Sequence, residues 1–188
     1  MKLKILATAL LLAPSLAAVP IQAQTSAFFQ LQRTRNCVSC NLMRADLSGE
    51  NLNGTNLSRA NLSHSDMIST FLNNATLNNA NLSRANLREA SLTGASLNLA
   101  VLKGASLRSA SLTGASLTGA DLSGASLRNA DMTYANLTDA NLERAELMNA
   151  NLSHANLTGA SLEDVALKRV VLCNTTMPDK KVSYRDCR

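Results

Sequence analysis

The stretch SLTGASLTGADLSG, Ser111 to Gly124, writes nearly the same five letters three times. Five residues at 3.6 per turn advance about 500°, so leucines at this spacing smear around a helix and leave no apolar face. A strand alternates its side chains, so a step of five throws successive leucines to opposite faces. One simple geometry keeps every leucine inside. The chain turns a corner in each pentad and climbs, which makes a solenoid.

Numbered from the leucine at the centre of each pentad, central positions fall every five residues from Leu42 to Leu172 without a slip. There are 27 of them, 25 Leu plus Met67 and Met132. Two residues before each centre the slot is small, and from Ala75 to Ala160 it is Ala in all eighteen pentads. Leu and Ala are therefore expected to point inward, and the other three positions outward. All eight glycines sit two residues after a centre, and Asn74, Asn79, Asn129 and Asn149 share that slot. These types tolerate positive φ and suit a corner. Arg84 and His154 occupy the same slot. They predict that some corners do without positive φ, so that turn types are mixed.

The pattern resembles the pentapeptide-repeat family, A-(D/N)-L-x-x, over Asn41 to Leu172. The resemblance implies an all-β fold: a right-handed, four-sided β-solenoid with four pentads per coil, in which residue n stacks on n+20. Nearly seven coils about 4.8 Å apart make a rod of roughly 30 Å. Each buried Leu contributes on the order of 1.5–3 kcal/mol gross. Chain entropy opposes most of that, so stacked coils fold and single coils do not. The expected organisation is a signal peptide over 1–23, an N-terminal cap with C-V-S-C over 24–40, the solenoid over 41–172 and a tail over 173–188.

The formal charge of +5 gives a misleading impression of a basic rod. Between Asn41 and Leu172 there are ten Lys/Arg and eleven Asp/Glu, a net of −1. The positive excess lies in the flanks: Lys2, Lys4, Arg33 and Arg35, then Lys180, Lys181, Arg185 and Arg188. Lys2 and Lys4 followed by the apolar run ILATALLLAPSLAAV, with IQA ending at Ala23, read as a secretory signal. The run is too short for a comfortable membrane span. The reading is export, to a periplasm or a thylakoid lumen, with no membrane span once the signal is removed.

Four cysteines agree with an oxidising compartment. Cys37 falls on the central register and Cys40 on the alanine register, so both point toward the first coil. Whether they pair with each other is open. Cys173 and Cys187 bracket CNTTMPDKKVSYRDC, and a bond there closes a 15-residue loop worth roughly 3 kcal/mol in the chain-entropy model. Exported pentapeptide-repeat proteins of photosynthetic bacteria are similar in having a C-x-x-C at the start and a C-N-T-T-M-P-D exit with a late cysteine. That likeness implies disulfide-stapled ends. A haem site needs C-x-x-C-H, but Asn41 follows Cys40. One zinc site for all four cysteines is excluded by a rod with the pairs at opposite ends.

A solenoid's ends need caps. Phe28, Phe29 and Leu31 suit a short helix or coil lying over the first turn, and Val165 and Val170 fill space at the far end where no further coil stacks. Reading columns at n+20 gives Ser48, Ile68, Arg88, Arg108, Arg128, Met148, Lys168. Arg88, Arg108, Arg128 and Lys168 form a candidate contact stripe for an anion or an acidic partner, weighed against a plain solvated face. Thr93, Thr113, Thr133, Ser153 and Asn56, Thr76, Ser96, Ser116, Asn136, Asn156 read as structural ladders. Ile68 with Phe71, and Leu99 with Val101, are two outward apolar pairs and candidate partner contacts.

No catalytic constellation is present. His64 and His154 fall on different faces, no phosphate loop or dinucleotide fingerprint occurs, and a filled rod offers no deep pocket. The expectation is a non-enzymatic exported solenoid with no cofactor and no nucleic-acid ligand. Its work is structural or lies in contact with an unidentified protein, and its oligomeric state is open. Two alternatives are weighed. Some family members mimic DNA and protect a topoisomerase, which calls for an acidic cytoplasmic rod. Thiol exchange through Cys37 and Cys40 calls for an accessible sulfur.

Overall fold

The computed structural model describes residues 21–187. The signal expected over 1–23 lies outside them except for its last three positions.

The described residues begin with helix α1, Ile21–Thr34. Ala27 and Leu31, one helical turn apart, are buried on the first coil, with Phe28 half-buried beside them. Phe29 is half exposed at 52%, which corrects its expected place in the cap. In a helix each residue advances about 100°, which carries Phe29 off the stripe that Ala27 and Leu31 define. The helix ends at Arg35, whose φ of 51° and N–H bond to the Leu31 carbonyl (3.0 Å) close its last turn.

From Asn36 the chain stacks on itself at 20 residues. Parallel bridges run without a gap from Asn36↔Asn56 to Asn141↔Ser161, then Asn151↔Val171 and Asn156↔Thr176. Four pentads thus make one coil, and the rod has four faces. The first face carries Leu42, Leu62 and Leu82, the second Leu47, Met67 and Leu87, the third Leu52, Leu72 and Leu92, and the fourth Leu57, Leu77 and Leu97. Every central residue from Leu42 to Leu157 is buried, as is every alanine in the small slot from Ala75 to Ala160. Where that slot holds a hydroxyl, the group is satisfied by a carbonyl: Thr55 donates to Leu52 (2.6 Å), Ser65 to Leu62 (2.7 Å) and Thr70 to Leu47 (2.8 Å).

The pentad Asp121–Ala125 shows where the backbone donors go. Leu122 and Gly124 donate to Asn141 and Glu143 in the next coil, and Asp121 donates back to Ala100. The Ala125 N–H closes the corner on the Leu122 carbonyl (3.0 Å), and the Ser123 N–H meets the Asp121 carboxylate (3.0 Å). All five donors are used, which is the physical reason for Asp or Asn before the leucine.

The expected mixture of turn types is not what forms. Every residue two after a centre, from Ser39 to Asp164, has positive φ, whether Gly, Arg84 (56°), Glu89 (58°), Leu99 (58°) or Tyr134 (61°). A side chain in that region costs about 1–2 kcal/mol. The ladder overrides that preference. The N–H of the same residue donates to the next coil, as from Arg84 to Lys103 (3.0 Å), and another corner geometry would lose that bond.

The stack loosens only at its end. No bridge joins Glu146 to residue 166, Arg169 lacks the positive φ of the other corners, and Leu162, Val165 and Leu167 are only partly buried. β1 (Thr175–Thr176), bridged to Asn156 in the coil before it, pairs with β2 (Val182–Ser183) as an antiparallel hairpin at the end of the stack. Among the described residues no helix is long and apolar enough to cross a membrane.

Candidate functional site

With leucine and alanine filling the interior, chemistry is confined to faces, corners and ends. The second face carries the arginine column. Arg88, Arg108 and Arg128 stand on successive rungs, about 4.8 Å apart. Among the described residues no carboxylate lies within 4.0 Å of any of the three. Lys168, two rungs beyond Arg128, belongs to the loosened last coil and is separated from it by Met148, whose Sδ meets an Arg128 terminal nitrogen at 4.0 Å. Stacked like charges repel. The Arg128 Nε and the Asn86 Oδ1 are also buried without partners, a burden of about 1–3 kcal/mol for each such atom.

The third and fourth faces solve the same stacking problem without charge. Asn53 Oδ1 accepts from the Asn73 N–H (2.8 Å), and Asn73 Oδ1 accepts from the Thr93 N–H (3.0 Å). On the fourth face Asn78 and Asn98 repeat the device toward Thr118 (2.9 and 3.0 Å). The column Asn56 to Asn156 pairs rung by rung. These ladders are internally satisfied and leave little for a ligand to complete.

The two apolar pairs do not meet. Ile68 and Phe71 flank the corner between the second and third faces; Leu99 sits at the corner between the fourth and first, diagonally opposite, with Val101 just beyond it. Phe71, Leu99 and Val101 are exposed, and Ile68 is half-buried. Leu99 leans over Gly119, where a methyl group would come within 2.8 Å of its Cδ2.

The histidines are apart, as the columns require. His154 stacks on Tyr134 with ring centroids 4.6 Å apart, an exposed aromatic pair on the corner between the third and fourth faces. This pair was overlooked, although Tyr134 and His154 are separated by the 20-residue coil repeat. Among the described residues no cluster of three His, Cys, Asp or Glu could hold a metal ion.

Cys37 pairs with Cys40 and Cys173 with Cys187. Cys37 is fully buried and its Sγ lies 3.4 Å from the Ala27 carbonyl of α1, while Cys40 is half-buried. At the far end the Arg185 guanidinium donates to the Leu167 and Val170 carbonyls (2.8 and 2.5 Å) and pairs with Asp186 (3.0 Å). Asp186 in turn accepts from the Leu172 N–H. The hydrogen bond from Arg185 holds the Asp186 carboxyl below its ordinary value, and Lys181 does the same for Asp179. A shallow hollow of about 450 Å³ in this hairpin is lined by Met177, Pro178, Asp179, Lys181, Val182 and Ser183.

The sequence matches the family profile described as pentapeptide repeats over residues 40–79, 80–119, 110–149, 125–164 and 145–177. No curated protein matches it. Among solved structures it is similar to the pentapeptide repeat protein Rfr23 of the cyanobacterium Cyanothece 51142, at 33% identity over 63% of this chain and 94% of that one, with a TM-score of 0.62. It is also similar to a pentapeptide repeat protein from the thylakoid lumen of Arabidopsis thaliana, at 40% identity over 47% of this chain and 65% of that one (TM-score 0.25). A third likeness is to QnrB1, a plasmid-mediated fluoroquinolone resistance protein, at 18% identity over 81% and 87% of the two chains (TM-score 0.49). The profile and the fit to Rfr23 bear out the right-handed, four-sided solenoid expected from the repeat.

Proposed function

The chain belongs to the pentapeptide-repeat family, and from that premise we propose that it is a non-enzymatic, exported scaffold that acts by presenting rigid faces to a protein partner. The observation that carries this reading is the filled interior: every central residue from Leu42 to Leu157 is buried, so the rod offers surfaces and no deep cleft. The disulfides at both ends support export to a periplasm or lumen, because such bonds persist in oxidising compartments. A DNA-mimic role finds no support in a stretch of net charge −1 that carries an arginine column. Burial of Cys37 under α1 argues against thiol exchange.

Export is tested by expressing the full sequence in a bacterium with a periplasm. The expected product is periplasmic, begins at Gln24 and carries both disulfides in a non-reducing peptide map. A cytoplasmic product with free thiols would overturn the reading. The apolar corners are the expected protein contacts. Phe71→Ser and Leu99→Asn, placed on opposite corners, should therefore weaken cross-linking to the partner unequally while the rod stays folded by circular dichroism. Equal cross-linking by both variants and the parent would retire the corners as contacts.

A further inference from the structure

We propose that the first face pairs with the first face of a second copy of this chain, the two rods lying antiparallel. This gives one of the two apolar corners an occupant, and it rests on the scaffold reading only in treating such a corner as a contact.

The first face and its two bordering corners are divided by charge along the rod. Seven central residues stack there, Leu42 to Leu162, and Leu102 is the middle one. Toward the N-terminal end the charged side chains are all basic: Arg44, Arg59 and Arg84, with Lys103 beside Leu102. Toward the C-terminal end Asp121, Asp139, Glu143, Glu163 and Asp164 are acidic, and Arg144 is the one base among them. The border between the halves is apolar, with Leu99 exposed at 59% and Val101 beside it. Among the described residues none of the four basic groups of the first half has a carboxylate within 4.0 Å. Arg144, in the acidic half, already meets Glu143 and Asp164 (3.4 Å each).

A two-fold axis lying across the face at Leu102 turns one rod end for end and keeps each corner opposite the same corner of the other copy. A residue two rungs before the axis then faces the residue two rungs after it in its own column. Arg59 and Asp139 lie two rungs either side of Leu99, so Arg59 faces the other copy's Asp139. Arg44 and Asp164 lie three rungs either side of Gly104 and face each other likewise. Asn81 faces Asp121, and Lys103 reaches that carboxylate from one rung away, about 4.8 Å. Arg84 falls opposite Gly124, where nothing stands within 4 Å of an added Cβ, so its long side chain has room. Leu99 and Val101 meet their own counterparts at the axis and leave water together.

Other pairings of like faces do not match. Parallel rods set Arg59 on Arg59 and Asp139 on Asp139. The second face turned end for end sets Arg88 on Arg128 and Arg108 on itself. The third and fourth faces carry one charge between their corners in the stacked coils, Asp131, and give no register. Like charges in apposition reject the wrong arrangement and opposite charges fix the right one. A face about 30 Å long and 10 Å wide is at the small end of specific interfaces, so the dimer is weak and sensitive to salt.

The test is sedimentation of the purified, oxidised chain over a concentration series at low and moderate salt. A monomer that becomes a dimer with rising concentration is expected, the shift receding as salt is added. Arg59→Glu and Asp139→Arg should each weaken self-association about tenfold or more. An equimolar mixture of these two variants should associate as the parent does, because both contacts then join opposite signs again. Arg108→Gln, on the second face, should leave association unchanged. If either corner variant fails to fold by circular dichroism, Arg44→Glu and Asp164→Arg carry the same exchange. A chain that stays monomeric at low salt, a folded corner variant that associates like the parent, or a mixture no better than its components overturns the proposal. The measurement contains this chain alone. Its failure leaves export and cross-linking to another protein standing, and their failure leaves the dimer standing.

Discussion

The two ends of the rod solve one problem differently. Both present an open coil with apolar side chains and unpaired backbone groups. At the N-terminal end α1 supplies both kinds of cover. Ala27 and Leu31 bury the first coil, while Gln30 and Thr34 donate to the Asn36 carbonyl and Arg35 to that of Asn53. Leu42 and Leu47 are fully buried as a result. At the C-terminal end the last coil drops its register around residues 166–169, and Leu162, Val165 and Leu167 stay partly exposed. A covalent loop and one arginine hold that end. Apolar cover alone does not finish a solenoid; its edge also needs hydrogen-bond partners, and a disulfide backs them at each end. The C-terminal end is therefore where opening should begin.

The sharpest way to break this comparison is to remove the cross-links. In the chain-entropy model, losing Cys173–Cys187 costs about 3 kcal/mol and losing the four-residue Cys37–Cys40 loop about 2 kcal/mol. Urea unfolding of the two double Ser variants should rank them in that order. The reverse order would mean that the N-terminal cap depends on its disulfide more than on its helix. Next in size, Arg185→Ala should cost about 1–2 kcal/mol. It should speed amide exchange at Leu172 to Thr176 while leaving Cys37 and Leu42 unchanged.

Smaller effects come from the corners. Arg44 near the N-terminal end holds φ 59°, whereas Arg169 in the last coil does not have positive φ. Arg44→Gly should gain about 0.5–1 kcal/mol by removing strain, and Arg169→Gly should lose about as much through the freer unfolded chain. Thermal melts of the two variants moving in the same direction would contradict the broken corner. The smallest effect is with pH. Asp179 and Asp186 have carboxyls held below their ordinary value of 3.8 in the folded tail. A depressed folded value contributes stability above the unfolded value, which is lost as pH falls through the folded one. Exchange of the tail amides should therefore rise below about pH 4 before that of the N-terminal coil.

Much of this was legible in residue order. The five-residue register, the n+20 stacking, the Leu and Ala interior and the arginine column all follow from counting. The same rule would have disclosed Tyr134 on His154. The corners were misread because Arg84, Glu89 and Leu99 resist positive φ as isolated residues, and their intrinsic preference is weaker than the rung bond that the corner must keep. Phe29 was misplaced because apolar composition does not say which way a helix faces.

By itself the order of residues determined the period, and with it the fold, since only a chain that bends every five residues can hide a leucine at that spacing. Only the tertiary structure decided the uniform corners, the loss of register at residues 166–169 and the clamp by Arg185. Each depends on whether another coil lies alongside to supply a hydrogen-bond partner, and a pentad read alone carries no record of its neighbours.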